Sequence, residues 1–180
     1  SLSLSPLTIK FDDSTLSGNA AVNNFDKPAI KFDLGVDDIN VDRYLPNASQ
    51  AKGSETSVSV APPAAAVLIP VETIRSLNVD GVFKVQSLVV NGLTAKNASV
   101  KLLAKNGVLK TEQGVKAFYN GGYAGKTVVD ARQNTPKITV DEQVIGVDIE
   151  PLLMDLMGES SVSGIANIKA NLTTRGNKMP

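Results

Sequence analysis

The sequence predicts a mainly β protein of the α+β kind: a long-stranded, curved antiparallel sheet built from an internal repeat, with two short helices. Three observations predict it. First, two stretches about 108 residues apart read as copies of one another. Leu16-Ser-Gly-Asn-Ala-Ala-Val parallels Tyr123-Ala-Gly-Lys-Thr-Val-Val, and Pro28-Ala-Ile-Lys-Phe-Asp parallels Pro136-Lys-Ile-Thr-Val-Asp. Asp38-Ile-Asn-Val-Asp-Arg-Tyr-Leu parallels Gly146-Val-Asp-Ile-Glu-Pro-Leu-Leu, and upstream Phe11 aligns with Phe118. Second, apolar and polar residues alternate at period two. Third, Asn91-Gly92, Asn106-Gly107 and Asn120-Gly121 punctuate the middle of the chain at a spacing of about 15 residues, each between strand-like runs. A repeat of this kind points toward a surface-presenting scaffold and away from a single catalytic pocket.

Taken in order, residues 7–36 read as strands. Ile30, Phe32, Leu34 and Val36 fall on one face and Lys31, Asp33 and Gly35 on the other, the mark of a sheet with one apolar side. After Val36 the phase slips to Ile39, and the second copy slips at the matching place, from Val144 to Val147. A one-residue slip in both copies predicts a β-bulge that bends the strand. Glu142, aligned with Leu34, interrupts the apolar face of the second copy. Residues 46–69 are small, polar and Pro-containing, and read as a flexible Ala/Pro/Ser-rich insert. A short helix follows from Pro70 to Leu77, with Pro at its start and Glu72 in its first turn. A stronger one runs from Glu150 to the stop at Gly158. Between them the Asn-Gly pairs supply the positive φ angles of type I′ hairpin turns, implying strands of about 10 to 13 residues. Gly18, Gly81, Gly125 and Gly164 are expected to open strands. The organisation is thus a first β repeat (1–45), the insert (46–69), and a helix, meander and second repeat (70–180) continuing the same sheet.

Composition narrows the function. Eighteen basic and 18 acidic residues balance, so no basic stripe collects phosphate backbones and nucleic acid is not the expected partner. Aromatics are 4% and Trp is absent, which leaves no evident platform for stacking bases. There is neither Cys nor His, hence no thiol nucleophile, no imidazole base and no soft-metal site. No catalytic residue, metal or cofactor is expected. No apolar run reaches membrane-spanning length. The chain opens at Ser1 in strand-like sequence, as expected of a piece of a longer protein.

Several motifs invite chemistry and are better read as structure. Gly121-Gly-Tyr-Ala-Gly-Lys-Thr imitates a phosphate loop, but its first Gly is misplaced and strand-like Thr127-Val-Val-Asp follows where a helix belongs. Asp38-Ile-Asn-Val-Asp42 imitates the start of a calcium loop, but Arg43 stands where the sharp-turn Gly belongs and Ser49 where the bidentate Glu belongs. Asp12, Asp13, Asp33 and Asp37 read as solvated strand and turn positions.

The apolar face is the remaining candidate site. Ile30, Phe32, Leu34 and Val36, with Val85, Val100, Leu102 and Val129 on neighbouring strands, line either an ordinary core under the helices or an open groove. Two helices of about two turns cannot cover some eight long strands, which favours a face left partly open.

Asp13-Ser-Thr-Leu-Ser-Gly, the run from Pro28 to Pro46, Pro70-Val-Glu-Thr-Ile-Arg-Ser-Leu-Asn-Val-Asp-Gly and Tyr119-Asn-Gly-Gly-Tyr-Ala-Gly together resemble the C-terminal region of the AsmA family. The match spans nearly all of residues 7–176. The resemblance implies a Gram-negative envelope protein, periplasmic, anchored in the inner membrane by a helix outside this sequence, and involved in outer-membrane biogenesis. It implies a relation to long β-groove proteins that carry phospholipid, and no catalytic residues. The expected partner is therefore phospholipid or another acyl-chain lipid, held by a concave apolar face; the alternative is an assembly module that contacts envelope proteins.

Overall fold

The computed structural model describes residues 1–44 and 70–176, so the insert expected at 46–69 lies outside the described residues. Nine strands form one curved open sheet in chain order. They are β1 (Leu2–Phe11), β2 (Ser14–Asn23), β3 (Ala29–Asn40), β4 (Val79–Val90), β5 (Leu93–Lys105), β6 (Val108–Phe118), β7 (Gly121–Asp130), β8 (Lys137–Asp148) and β9 (Ile165–Arg175). A 3-10 turn, η1 (Val41–Arg43), follows β3; helix α1 (Val71–Ser76) precedes β4 and helix α2 (Ile149–Met157) follows β8. Neighbours are antiparallel except β3 and β4, which run parallel. This corrects the all-antiparallel expectation. The cause is the connection: tight turns reverse a chain, whereas the long return from Asn40 to Val79 brings β4 back to the end where β3 began.

Asn91-Gly92 and Asn106-Gly107 each place two consecutive residues at positive φ, as a type I′ turn requires. The third hairpin differs by one residue: its positive-φ pair is Tyr119-Asn120. Gly121 is thereby released into β7, where a Cβ would stand 2.4 Å from Ile145 O and Val147 N of β8. Nor do Gly18, Gly81 and Gly125 open strands. They lie inside β2, β4 and β7, and only Gly164 sits just ahead of a strand.

The phase slip is real but its two copies differ. In β8 the ladder to β9 shifts between Val144 and Val147 around Gly146, at φ +66°, which is a bulge. In β3 the ladder to β4 keeps its register through Val36↔Val85 and Asp38↔Ser87, so no bulge forms there. Instead the Asp37 carboxylate accepts the Thr15 amide at 2.7 Å, replacing a ladder bond to β2. That bond and the Asp38 amide hold its carboxyl below the usual carboxylate range. The same row is irregular in β5, where Asn97 has φ +54°.

The helices sit at the two ends of the sheet, and of the two only α1 buries a side chain. Ile74 of α1 is buried against Val129, Ala131 and Ile138, with Val71, Leu109 and Val140 packed around them. Arg75 fixes this seat by donating to the Ala131 and Gln133 carbonyls at 2.7 and 3.0 Å. At the other end α2 starts on an Asp148 cap, which accepts from the Glu150 amide, and stops on Gly158 in the left-handed region. Tyr119 OH ties the α2 residue Asp155 to the β6–β7 turn at 2.5 Å.

Candidate functional site: the apolar face of the sheet

Residues directly opposite in a ladder share a face, so register alone assigns the lining from β2 to β8. The row nearest α1 reads Val22, Ile30, Val79, Ala104, Leu109, Val129, Ile138. The second reads Ala20, Phe32, Gly81, Leu102, Thr111, Thr127, Val140. The third reads Gly18, Leu34, Phe83, Val100, Gln113, Gly125, Glu142, and the fourth Leu16, Val36, Val85, Ala98, Val115, Tyr123, Val144. All eight residues expected from the sequence stand on this one face, two in each row. Their surroundings differ. Val129, Val36 and Val85 are buried, Val129 under α1; Ile30, Phe32, Leu34 and Leu102 are half-buried; Val100 is 42% exposed. From β4 to β8 the first row is thus core, while the second and third carry apolar side chains that the helices leave uncovered.

The lining is divided across its width. Over β3–β5 it consists of Phe32, Leu34, Phe83, Val100 and Leu102. The Phe32 ring lies over Gly81, where a Cβ would come within 2.4 Å of it, so the glycine makes room for the ring. Over β6–β8 the same two rows carry Thr111, Thr127, Gln113 and Glu142. There Tyr123 OH donates to one Glu142 oxygen, and Gln113 Nε2 approaches the other at 3.4 Å and the Tyr123 hydroxyl at 3.5 Å. Gly125 lies beneath, and a Cβ there would stand 2.4 Å from Glu142 Oε2 and 2.5 Å from Tyr123 OH. Burial, then the bond to Glu142, pushes the Tyr123 phenol above its ordinary pKa. Sequence reasoning missed Gln113, Tyr123 and Phe83. Its one pointer was Glu142, a charge at a position where alternation demands an apolar residue.

The other singled-out residues serve the scaffold. Gly121–Thr127 lies in β7, with no helix following. Asp42 accepts from the amides of Asn91 and Gly92 and so braces the β4–β5 turn. Asp33 pairs with Lys84 at 2.9 Å, Asp13 with Arg43 at 2.8 Å, and Asp12 accepts from Tyr44 OH. Among the described residues no cluster of carboxylates is arranged to hold a metal ion.

An open sheet with one apolar, partly uncovered face and helices at its two ends defines a surface-presenting β scaffold. The family model for the AsmA family matches residues 1–179, nearly the whole chain, and the chain belongs to that family. The family is associated with the bacterial envelope. No curated protein and no solved structure gave a match. Among the described residues no helix is long and apolar enough to cross a membrane.

Proposed function

We propose that this chain is a non-enzymatic module of the Gram-negative periplasm, part of a parent protein anchored in the inner membrane, whose apolar face guides phospholipid between the two membranes. The observation that carries this reading is the uncovered strip over β3–β5. Phe32, Leu34, Phe83, Val100 and Leu102 form a continuous apolar surface with no ionisable side chain among them. Acyl chains laid on it gain about 0.8 kcal/mol per methylene removed from water. The contacts are non-directional, so a chain can slide without being trapped.

The test is direct. Protein stripped of lipid is incubated with phospholipid vesicles, re-isolated, and its bound lipid quantified by mass spectrometry. Wild type is expected to return with phospholipid, and Val100→Asp with several-fold less. Val100 is exposed enough for the substitution to leave the fold intact. Wild type that returns lipid-free overturns the reading. The second reading, docking of an envelope protein by strand addition, is favoured by the outer edge of β9, which pairs with no further strand among the described residues, and by the exposed Ile165, Ile168 and Leu172 on that strand.

A further inference from the structure

The charged residues are distributed unequally between the two faces, and the inequality bears on which lipid fits. At the rows that line the apolar face from β2 to β8, every lysine stands on the opposite side: Lys31, Lys84, Lys101, Lys110 and Lys126 each alternate with a lining residue. On the lining rows from β2 to β8, Glu142 is the one carboxylate and no cation accompanies it. Within these four rows an anionic headgroup therefore finds no counter-charge among the described residues, and one like charge.

The cluster around Glu142 is also short of donors. Tyr123 OH and Gln113 Nε2 are spent on the carboxylate. Gln113 Oε1 is buried without a partner, the one such side-chain atom among the described residues. Two carboxylate oxygens and an orphaned amide oxygen share three donor hydrogens, so the site accepts further N–H groups and has none to offer. The cluster sits beside the apolar strip in the same rows, as a polar headgroup sits beside its chains.

We propose that Gln113, Tyr123 and Glu142 form a headgroup station that favours phospholipids ending in a primary ammonium over anionic ones, the acyl chains lying over β3–β5. The ammonium supplies three N–H donors and the positive charge that Glu142 lacks, a charge-assisted pairing in a half-buried setting. A quaternary ammonium brings the charge without the donors and ranks between. This inference rests on the lipid-guiding reading of the face.

The experiment is competitive loading. Lipid-free protein is offered vesicles containing equal amounts of phosphatidylethanolamine and phosphatidylglycerol with the same acyl chains, and the bound lipids are counted by mass spectrometry. Wild type is expected to retain the ethanolamine lipid in excess by a factor of about 5 to 10. Glu142→Gln, nearly isosteric and still able to bond Tyr123, is expected to bind the same total lipid at a ratio near one. Tyr123→Phe keeps the carboxylate and is expected to keep the preference. Wild type that binds lipid without preference overturns the station and leaves the lipid-guiding face standing, as does a Glu142→Gln variant with unchanged preference. A Tyr123→Phe variant that loses the preference while Glu142→Gln keeps it also overturns it, because the determinant is then not the carboxylate. Wild type that binds no lipid overturns both.

Discussion

The first repeat, β1–β3, and the second, β6–β8, share a scaffold and differ in what they show to the ligand. In both, two long strands join a third and end in a short helical segment capped in the same way: the side chain of Asn40 accepts from the amide two residues on, as does Asp148. Both keep a glycine at the same point, Gly18 and Gly125. Around it the first repeat places Leu16 and Leu34, and the second Tyr123 and Glu142. Burial differs too. Ile138 is fully buried because α1 is seated on the second repeat, whereas its counterpart Ile30 is half-buried. Ladder and caps, common to both, hold the unit together. The lining of the middle rows is therefore free to turn from apolar to polar without altering the frame.

Substitutions at paired positions test this contrast between the repeats. The largest effect is expected from Ile138→Ala, which empties a closed site and costs about 2–5 kcal/mol in a urea melt; Ile30→Ala should cost clearly less, and equal losses would mean that α1 does not set the asymmetry. Next come the glycines. Gly18→Ala drives a Cβ to 2.0 Å from the Asp33 carbonyl at φ +143°, and a loss of about 1–3 kcal/mol is expected. Gly125→Ala meets mainly the ends of movable side chains, so a smaller loss should accompany displacement of Glu142, visible as a return of the Tyr123 phenol toward its ordinary pKa in an ultraviolet titration. The caps follow: Asp148→Ala should cost about 1 kcal/mol, and Asn40→Ala less because η1 spans only three residues.

The smallest effect is acid sensitivity at the last residue of β2 and of β7, where only β7 carries a carboxylate. Asp130 is pulled down to about 2 by Arg132, while its counterpart Asn23 does not ionise. A carboxylate with its folded pKa below the ordinary 3.8 adds stability above that value, and the contribution fades as pH falls toward about 2. Asp130→Asn should therefore cost a few tenths of a kcal/mol at pH 7, the pair being partly exposed. Wild type and variant should converge near pH 2 in parallel melts.

The repeat, the two helices and the turns at Asn91 and Asn106 were legible in the sequence because each rests on local chemistry: alternation, caps, and an Asn-Gly pair that accepts positive φ. The turn at Tyr119 was misplaced by one residue, since the demand of Gly146 and Val147 for a side-chain-free neighbour at Gly121 is a contact across strands. The parallel pairing of β3 with β4 was hidden for a similar reason. Periodicity says which way a side chain points, not which strand lies alongside or in which direction it runs. The eight lining residues were readable as apolar positions, and register then gathered them on one face. Gln113, Tyr123 and Glu142 were not readable as a cluster, because only the β6–β7–β8 register brings residues 29 positions apart within bonding distance.

The chain contains no cysteine, so a single introduced thiol reports one position alone. Val100→Cys on the apolar face and Lys101→Cys on the opposite face can each carry a polarity-sensitive fluorophore and be titrated with phospholipid vesicles. If acyl chains lie over β3–β5, the label at position 100 shifts to the blue and brightens while that at position 101 does not respond. A silent label at 100, or equal responses at both positions, would contradict the account.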